Sequence, residues 1–193
     1  MIPADLLVFV FAGLFSPGPN VVMLTASGAR FGFVPTVPHL VGVAAGVGIT
    51  AGLTGLGLGA VLLAMPELAF ALKLIAAAWI LWLAFKLLRS TRATQVEAGA
   101  RPFTFIEAVL FQWVNPKVWA VAIAASAFVV DAGPISAALT LAISFSVLNL
   151  GVCLFWTSTG HLLGRLMKHR TAWRIFMTGM AALMAASAML IFL

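Results

Sequence analysis

Two short clusters of this 193-residue chain put backbone-opening residues next to polar side chains: Ser16-Pro17-Gly18-Pro19-Asn20 and Asn115-Pro116-Lys117. Proline lacks an N–H and glycine tolerates backbone angles that other residues avoid, so neither stretch continues a regular helix. Each break frees carbonyls about four residues upstream. Beside them stand groups able to hydrogen-bond a guest: the Ser16 hydroxyl, the amides of Asn20, Gln112 and Asn115, and the Lys117 ammonium. A cation at the freed N-terminal end of a half-helix, which adds its own partial positive charge, suits a carboxylate. Pro19 and Pro116 lie 97 positions apart, half the chain. Matching breaks in two halves of an apolar chain point to a transporter's site at the bilayer midplane.

The elements that carry these clusters belong in lipid. The chain is 63% apolar and 8% charged, with a mean hydropathy of +1.15. No soluble domain of this size covers its surface with so few polar groups. Apolar runs near residues 4–26, 38–64, 69–88, 105–130, 134–160 and 172–193 are each long enough to cross about 30 Å of hydrocarbon as helices. The alternating segments of about 10 residues that mark a β-barrel are missing. The expected fold is an all-α integral membrane protein of six transmembrane helices. It forms a single transmembrane domain over 1–193, with repeat one at 1–88, a cytoplasmic loop at 89–104 and repeat two at 105–193. No Lys or Arg precedes Arg30, so the first span lacks the cationic front of a signal peptide and reads as retained.

The net charge of +6 follows topology and is no nucleic-acid footprint. Alternate connections carry Arg30, then Lys86, Arg89, Arg92 and Arg101, then Arg165, Lys168, Arg170 and Arg174, whereas the others carry Glu67 and Asp131. The positive-inside rule makes the basic loops cytoplasmic and places both termini outside. Three spans per half force the second half to enter the membrane in the opposite sense, so the repeats are inverted. In span 2, Gly48, Gly52, Gly55 and Gly59 fall on one helical stripe, with Gly42, Gly46 and Gly57 opposite. Two smooth faces imply two close neighbours.

Lys117 lies about ten residues from either end of its span, farther than snorkelling reaches comfortably, so it should face a cavity. Asn149, mid-span, is a cavity-lining or interhelical hydrogen-bonding residue. Glu107 and Asp5 open spans 4 and 1; each reads either as a proton carrier or as a first-turn acid that stabilises the helix dipole. His39 and His161 fall near span ends, where interfacial placement is expected. Cys153 is the single cysteine and reads as a small packing residue, which leaves no disulfide and no thiol pair for redox exchange.

At these residues the chain resembles the LysE/RhtB family of bacterial amino-acid exporters. The similarity rests on Pro17-Gly18-Pro19-Asn20, on Gly28, Gly32 and the Gly-rich second span, and on Asn115-Pro116-Lys117, and it covers essentially the whole chain. The stretch from Phe111 to Trp119 is most similar to the branch that includes cysteine and O-acetylserine exporters. Many relatives carry Gly-Ala-Tyr where this chain has Ala77-Ala78-Trp79, a difference that bears on substrate size. The resemblance implies efflux of an amino acid or derivative across the bacterial inner membrane, coupled to proton exchange.

The expectation is therefore a secondary active exporter that alternates access around the two breaks, with no enzymatic activity, cofactor or bound metal. Its partners are a small amino-acid substrate, the lipid bilayer and, in a homodimer, a second copy. The alternatives are a metal-ion exporter of related architecture and a non-transport membrane assembly subunit. The first needs clustered ligands, and spans 1 and 4 supply only Asp5 and Glu107 as acids. Against the second, taken with a membrane enzyme as one class, the sequence offers no nucleophile with a positioned base.

Overall fold

The computed structural model describes residues 2–89, 100–167, 169–189 and 192, and among these every regular element is helical. Most of the expected loop 89–104, together with Lys168, lies outside the described residues. Among the described residues nine α-helices follow one another: α1 (Ala4–Phe15), α2 (Pro19–Phe31), α3 (Phe33–Gly55), α4 (Leu58–Ala64), α5 (Pro66–Leu88), α6 (Phe105–Trp113), α7 (Pro116–Ser126), α8 (Pro134–Leu166) and α9 (Arg170–Met189). A 3-10 turn, Ala127–Val129, extends α7.

Proline sets four of the starts. Pro19, Pro66, Pro116 and Pro134 open α2, α5, α7 and α8, where an N–H would have no partner in any case. Two of these starts interrupt spans: α1 and α2 bend by 57°, and α6 and the α7 unit bend by 63°. Among the described residues four unbroken helices (α3, α5, α8 and α9) are long and apolar enough to cross a membrane, and each bent pair makes one further candidate span.

The boundaries differ from the sequence reading for local reasons. The first span runs on to Phe31 and stops at Gly32, whose φ of +91° suits glycine. The second starts earlier, at Phe33, and does not persist to residue 64. Gly57 takes φ +104°, so α3 ends at Gly55 and α4 starts afresh. Gly57 and Gly59 therefore leave the stripes assigned to them on one continuous helix. The fifth span extends to Leu166, and its 33 residues measure about 50 Å at 1.5 Å each.

The remaining span-2 glycines do divide by neighbour. Gly42 and Gly46 lie against Phe105, Ala108, Val109 and Gln112 of α6, whereas Gly48, Gly52 and Gly55 lie against Ala138, Ala142 and Ser146 of α8. The second long seam joins α2 to α8, where Gly160 and Gly164 meet the backbone of Thr25 and Ala29. Such backbone proximity holds helices together where lipid provides no hydrophobic drive. Leu6, Val10 and Leu14, spaced four apart on α1, enter the core with Leu141 and Phe145 of α8. α5 and α9 pack on each other at one side. Val8, Val34, Leu63 and Ile135 are among the large apolar side chains left exposed, which suits a surface bathed in lipid.

Candidate substrate site between two broken helices

The carbonyls freed by the first break find partners close by and far away. Ser16 Oγ donates to Gly13 O at 2.9 Å, and Ser16 N donates to Ala12 O at 3.2 Å. Lys117, from the second break, donates through Nζ to the Ser16 carbonyl, to Ser16 Oγ at 2.8 Å and to Pro17 O at 3.4 Å. Its stem lies against Gly18, where the missing side chain leaves room. The cation of one break thus satisfies the opened backbone of the other, which hydrocarbon could not do.

At the second break Asn115 N reaches back to Gln112 O at 3.2 Å, and Trp119 Nε1 donates to Trp113 O at 2.9 Å across the bend. Gln112, 0% exposed, is the hub. Its Oε1 accepts from Asn20 Nδ2 at 2.8 Å and Asn115 Nδ2 at 3.3 Å, and its Nε2 donates to Asn20 Oδ1 at 3.2 Å and Ala108 O at 2.9 Å. The breaks are therefore tied twice, by an ammonium and by an amide pair.

Between them lies a cavity of about 20 Å³, bounded by the first residues of α2, the first residues of α7 and one face of α8. That is room for a single water. Three buried polar atoms on its wall have no hydrogen-bond partner: Asn115 Oδ1, Asn149 Nδ2 and Trp156 Nε1. Leaving such atoms unsatisfied costs about 1–3 kcal/mol each, which makes this cavity the candidate site for a polar guest. The two helix N-termini add partial positive charge from two directions. Donors and Lys117 suit a carboxylate; Asn115 Oδ1 and the Ser16 and Pro17 carbonyls suit an ammonium.

The structure thus brings Ser16, Pro17, Gly18, Pro19, Asn20, Gln112, Asn115, Pro116 and Lys117 into one place, and α8 supplies Asn149. Trp156 is missing from the sequence reading, although it sits two turns beyond Asn149 on the same face of α8, with Cys153 between them. Asp5 is exposed in the first turn of α1, on the wall of neither this cavity nor the larger one described next.

A second cavity of about 710 Å³ opens at the other end of α2, between α2, α3, α5 and the segment before α6. Arg30, Lys86, Arg89 and Arg101 gather on its wall. Glu107 is there too, closing a capping box with Thr104 and bound by Arg101 at 2.6 and 2.8 Å. That hydrogen bond and the carboxylate's charge raise the Arg101 guanidinium above its ordinary range. His39, expected near a membrane interface, lies on this cavity wall. It is 2% exposed, because α3 packs closely on α6 through Gly42 and turns the ring onto Phe103. Among the described residues no three His, Cys, Asp or Glu side chains gather to hold a metal.

Broken helices that meet tip to tip around a small cavity, inside a bundle faced with apolar side chains, are the architecture of a multi-pass membrane protein that passes a solute. Residues 11–193 match the family of LysE type translocators, and the chain belongs to that family: it is a translocator and not an enzyme. It is similar to the cysteine/O-acetylserine efflux proteins of Salmonella choleraesuis and Salmonella typhimurium. Each is 31% identical over 160 residues, which cover 80% of this chain and 80% of the relative. No solved structure matches the chain significantly.

Proposed function

We infer that this protein is a secondary active exporter of an amino acid or amino-acid derivative across the bacterial inner membrane, exchanging substrate for protons. One observation carries the reading: two half-helix N-termini, a lysine and three unpartnered polar atoms converge on one cavity between the breaks. A zwitterion fits that set by exchange. Its carboxylate takes Lys117 from the Ser16 and Pro17 carbonyls, and its ammonium takes those carbonyls from Lys117. Asn149 and Trp156 then hold the carboxylate, and Asn115 holds the ammonium. The names of the similar Salmonella proteins point to cysteine and O-acetylserine as the first substrates to test.

The two ties between the breaks support alternating access, because each must open for a guest to enter. Inverted repeats over 1–88 and 105–193, joined by a cytoplasmic loop, accord with α3 packing on α8 and α5 on α9. In that scheme six spans arise from the four unbroken helices and the two bent pairs. The clustering of Arg30, Lys86, Arg89 and Arg101 supports a cytoplasmic mouth at the larger cavity and periplasmic termini.

Purified protein in proteoliposomes should exchange labelled O-acetylserine or cysteine for the unlabelled compound, and Asn20→Ala should abolish that exchange while remaining inserted. No counterflow by the parent protein with any amino acid would sink the reading.

A further inference from the structure

His39 is a buried ionisable side chain that the site between the breaks does not use. Its Nδ1 has no hydrogen-bond partner, and its ring lies 5.2 Å from that of Phe103, centroid to centroid. The same side chain lines the 710 Å³ cavity, so it is shielded from lipid yet borders a polar space. Such a nitrogen leaves hydrogen-bonding free energy unrecovered unless something binds there. Imidazole is the side chain suited to exchanging a proton with the water of such a cavity.

The charged neighbours are few enough to name. Glu107 on α6 lies on the same cavity wall as His39 and is itself held by Arg101 and Thr104. Arg30 of α2 and Lys86 and Arg89 of α5 lie on the cavity wall, and α9 contributes Met184, which is uncharged. α8 brings His161 next to Gly32, and α3 carries no other ionisable residue. Glu107 is the one carboxylate on that wall among the described residues.

From His39 a close seam runs to the centre of the protein. Gly42, one turn along α3, lies against Phe105 and Ala108, and Gly46, one turn further, lies against Val109 and Gln112. Gln112 is the hub of the amide pair that ties the breaks.

We propose that His39 is the proton-binding site of the exchanger, loaded and unloaded through the larger cavity as the substrate site opens and closes. The imidazole takes a proton from cavity water at its cavity-facing edge in one half of the cycle and returns it to cavity water in the other. The imidazolium competes with Arg101 for Glu107, loosens the anchor at the start of α6 and, along the Gly42–Gly46 seam, the amide pair. This rests on the proton-exchange reading above.

The test compares His39→Gln with the parent in proteoliposomes, using counterflow and accumulation driven by an imposed pH gradient. The ratio of gradient-driven accumulation to counterflow should fall at least about tenfold in the variant, since counterflow needs no net proton movement. An unchanged ratio would overturn the proposal, as would a parent that counterflows substrate but moves no protons. A parent without counterflow would instead bring down the exporter reading, and this proposal with it. Should His39→Gln fail to insert, a His161→Gln/His169→Gln protein, with His39 as its sole histidine, decides the matter. Its imidazole 15N resonances should switch between neutral and charged patterns when O-acetylserine is added at fixed pH. Resonances indifferent to both substrate and pH would refute the assignment.

Discussion

Asn20 and Gln112, 92 positions apart, exchange hydrogen bonds amide to amide, at 2.8 Å in one direction and 3.2 Å in the other. Each side chain fills the other's donor and acceptor, so truncating one strands its partner at a cost of about 1–3 kcal/mol. Asn20→Leu and Gln112→Leu should each lower the melting temperature in detergent. The double variant should lose less than the sum of the two, because no stranded amide remains in that pair. Strictly additive losses would show that the pair is not coupled.

Lys117 has a charge that matters and a shape that matters. Lys117→Ala removes the donor to the Ser16 and Pro17 carbonyls, and counterflow should fall below detection while insertion persists. Lys117→Arg keeps the charge but brings a planar fork to a cavity of about 20 Å³, so it should restore less than about a tenth of the parent rate. Full activity in the arginine variant would reduce the role of Lys117 to charge alone.

Trp156 separates binding from stability. Trp156→Phe removes the unpartnered indole N–H and keeps most of the ring, so the half-saturating substrate concentration should rise about tenfold, the worth of one hydrogen bond. Thermal stability should change little, since the N–H has no partner to lose. A drop in stability with unchanged apparent affinity would place Trp156 in the scaffold.

Two glycines of α8 make opposite predictions. A methyl group at Gly160 would collide with the backbone of Thr25, whereas at Gly151 it would meet nothing within 4 Å. Gly160→Ala should reduce the yield of folded protein, and Gly151→Ala should leave it unchanged or improve it through helix propensity, by up to about 1 kcal/mol. Size-exclusion profiles after mild heating would tell them apart, and equal profiles would contradict the close α2–α8 seam.

The two breaks were legible in the sequence because a missing N–H is a local fact: Pro19 and Pro116 open helices wherever the rest of the chain lies. The two packing faces of span 2 were legible for the same reason, from periodicity alone. Which groups answer the freed carbonyls was not legible. Lys117 meets Ser16 across 101 positions, and only the packing of α1 against α7 brings them together. The burial of His39 was not legible, because distance from a span end measures depth in a membrane and says nothing of what covers a side chain. Gly57 was misread because a stripe of glycines looks alike whether the helix continues or turns.

The small size of the central cavity has a consequence for the cell. With room for one water molecule there, no file of water can form across the protein at that level, and protons have no continuous wire along which to hop. With the lysine closed onto the backbone carbonyls, the protein solvates its own cation and the passage is plugged. If substrate exchanges for protons as proposed, many copies can sit in a membrane without draining the gradient that powers them.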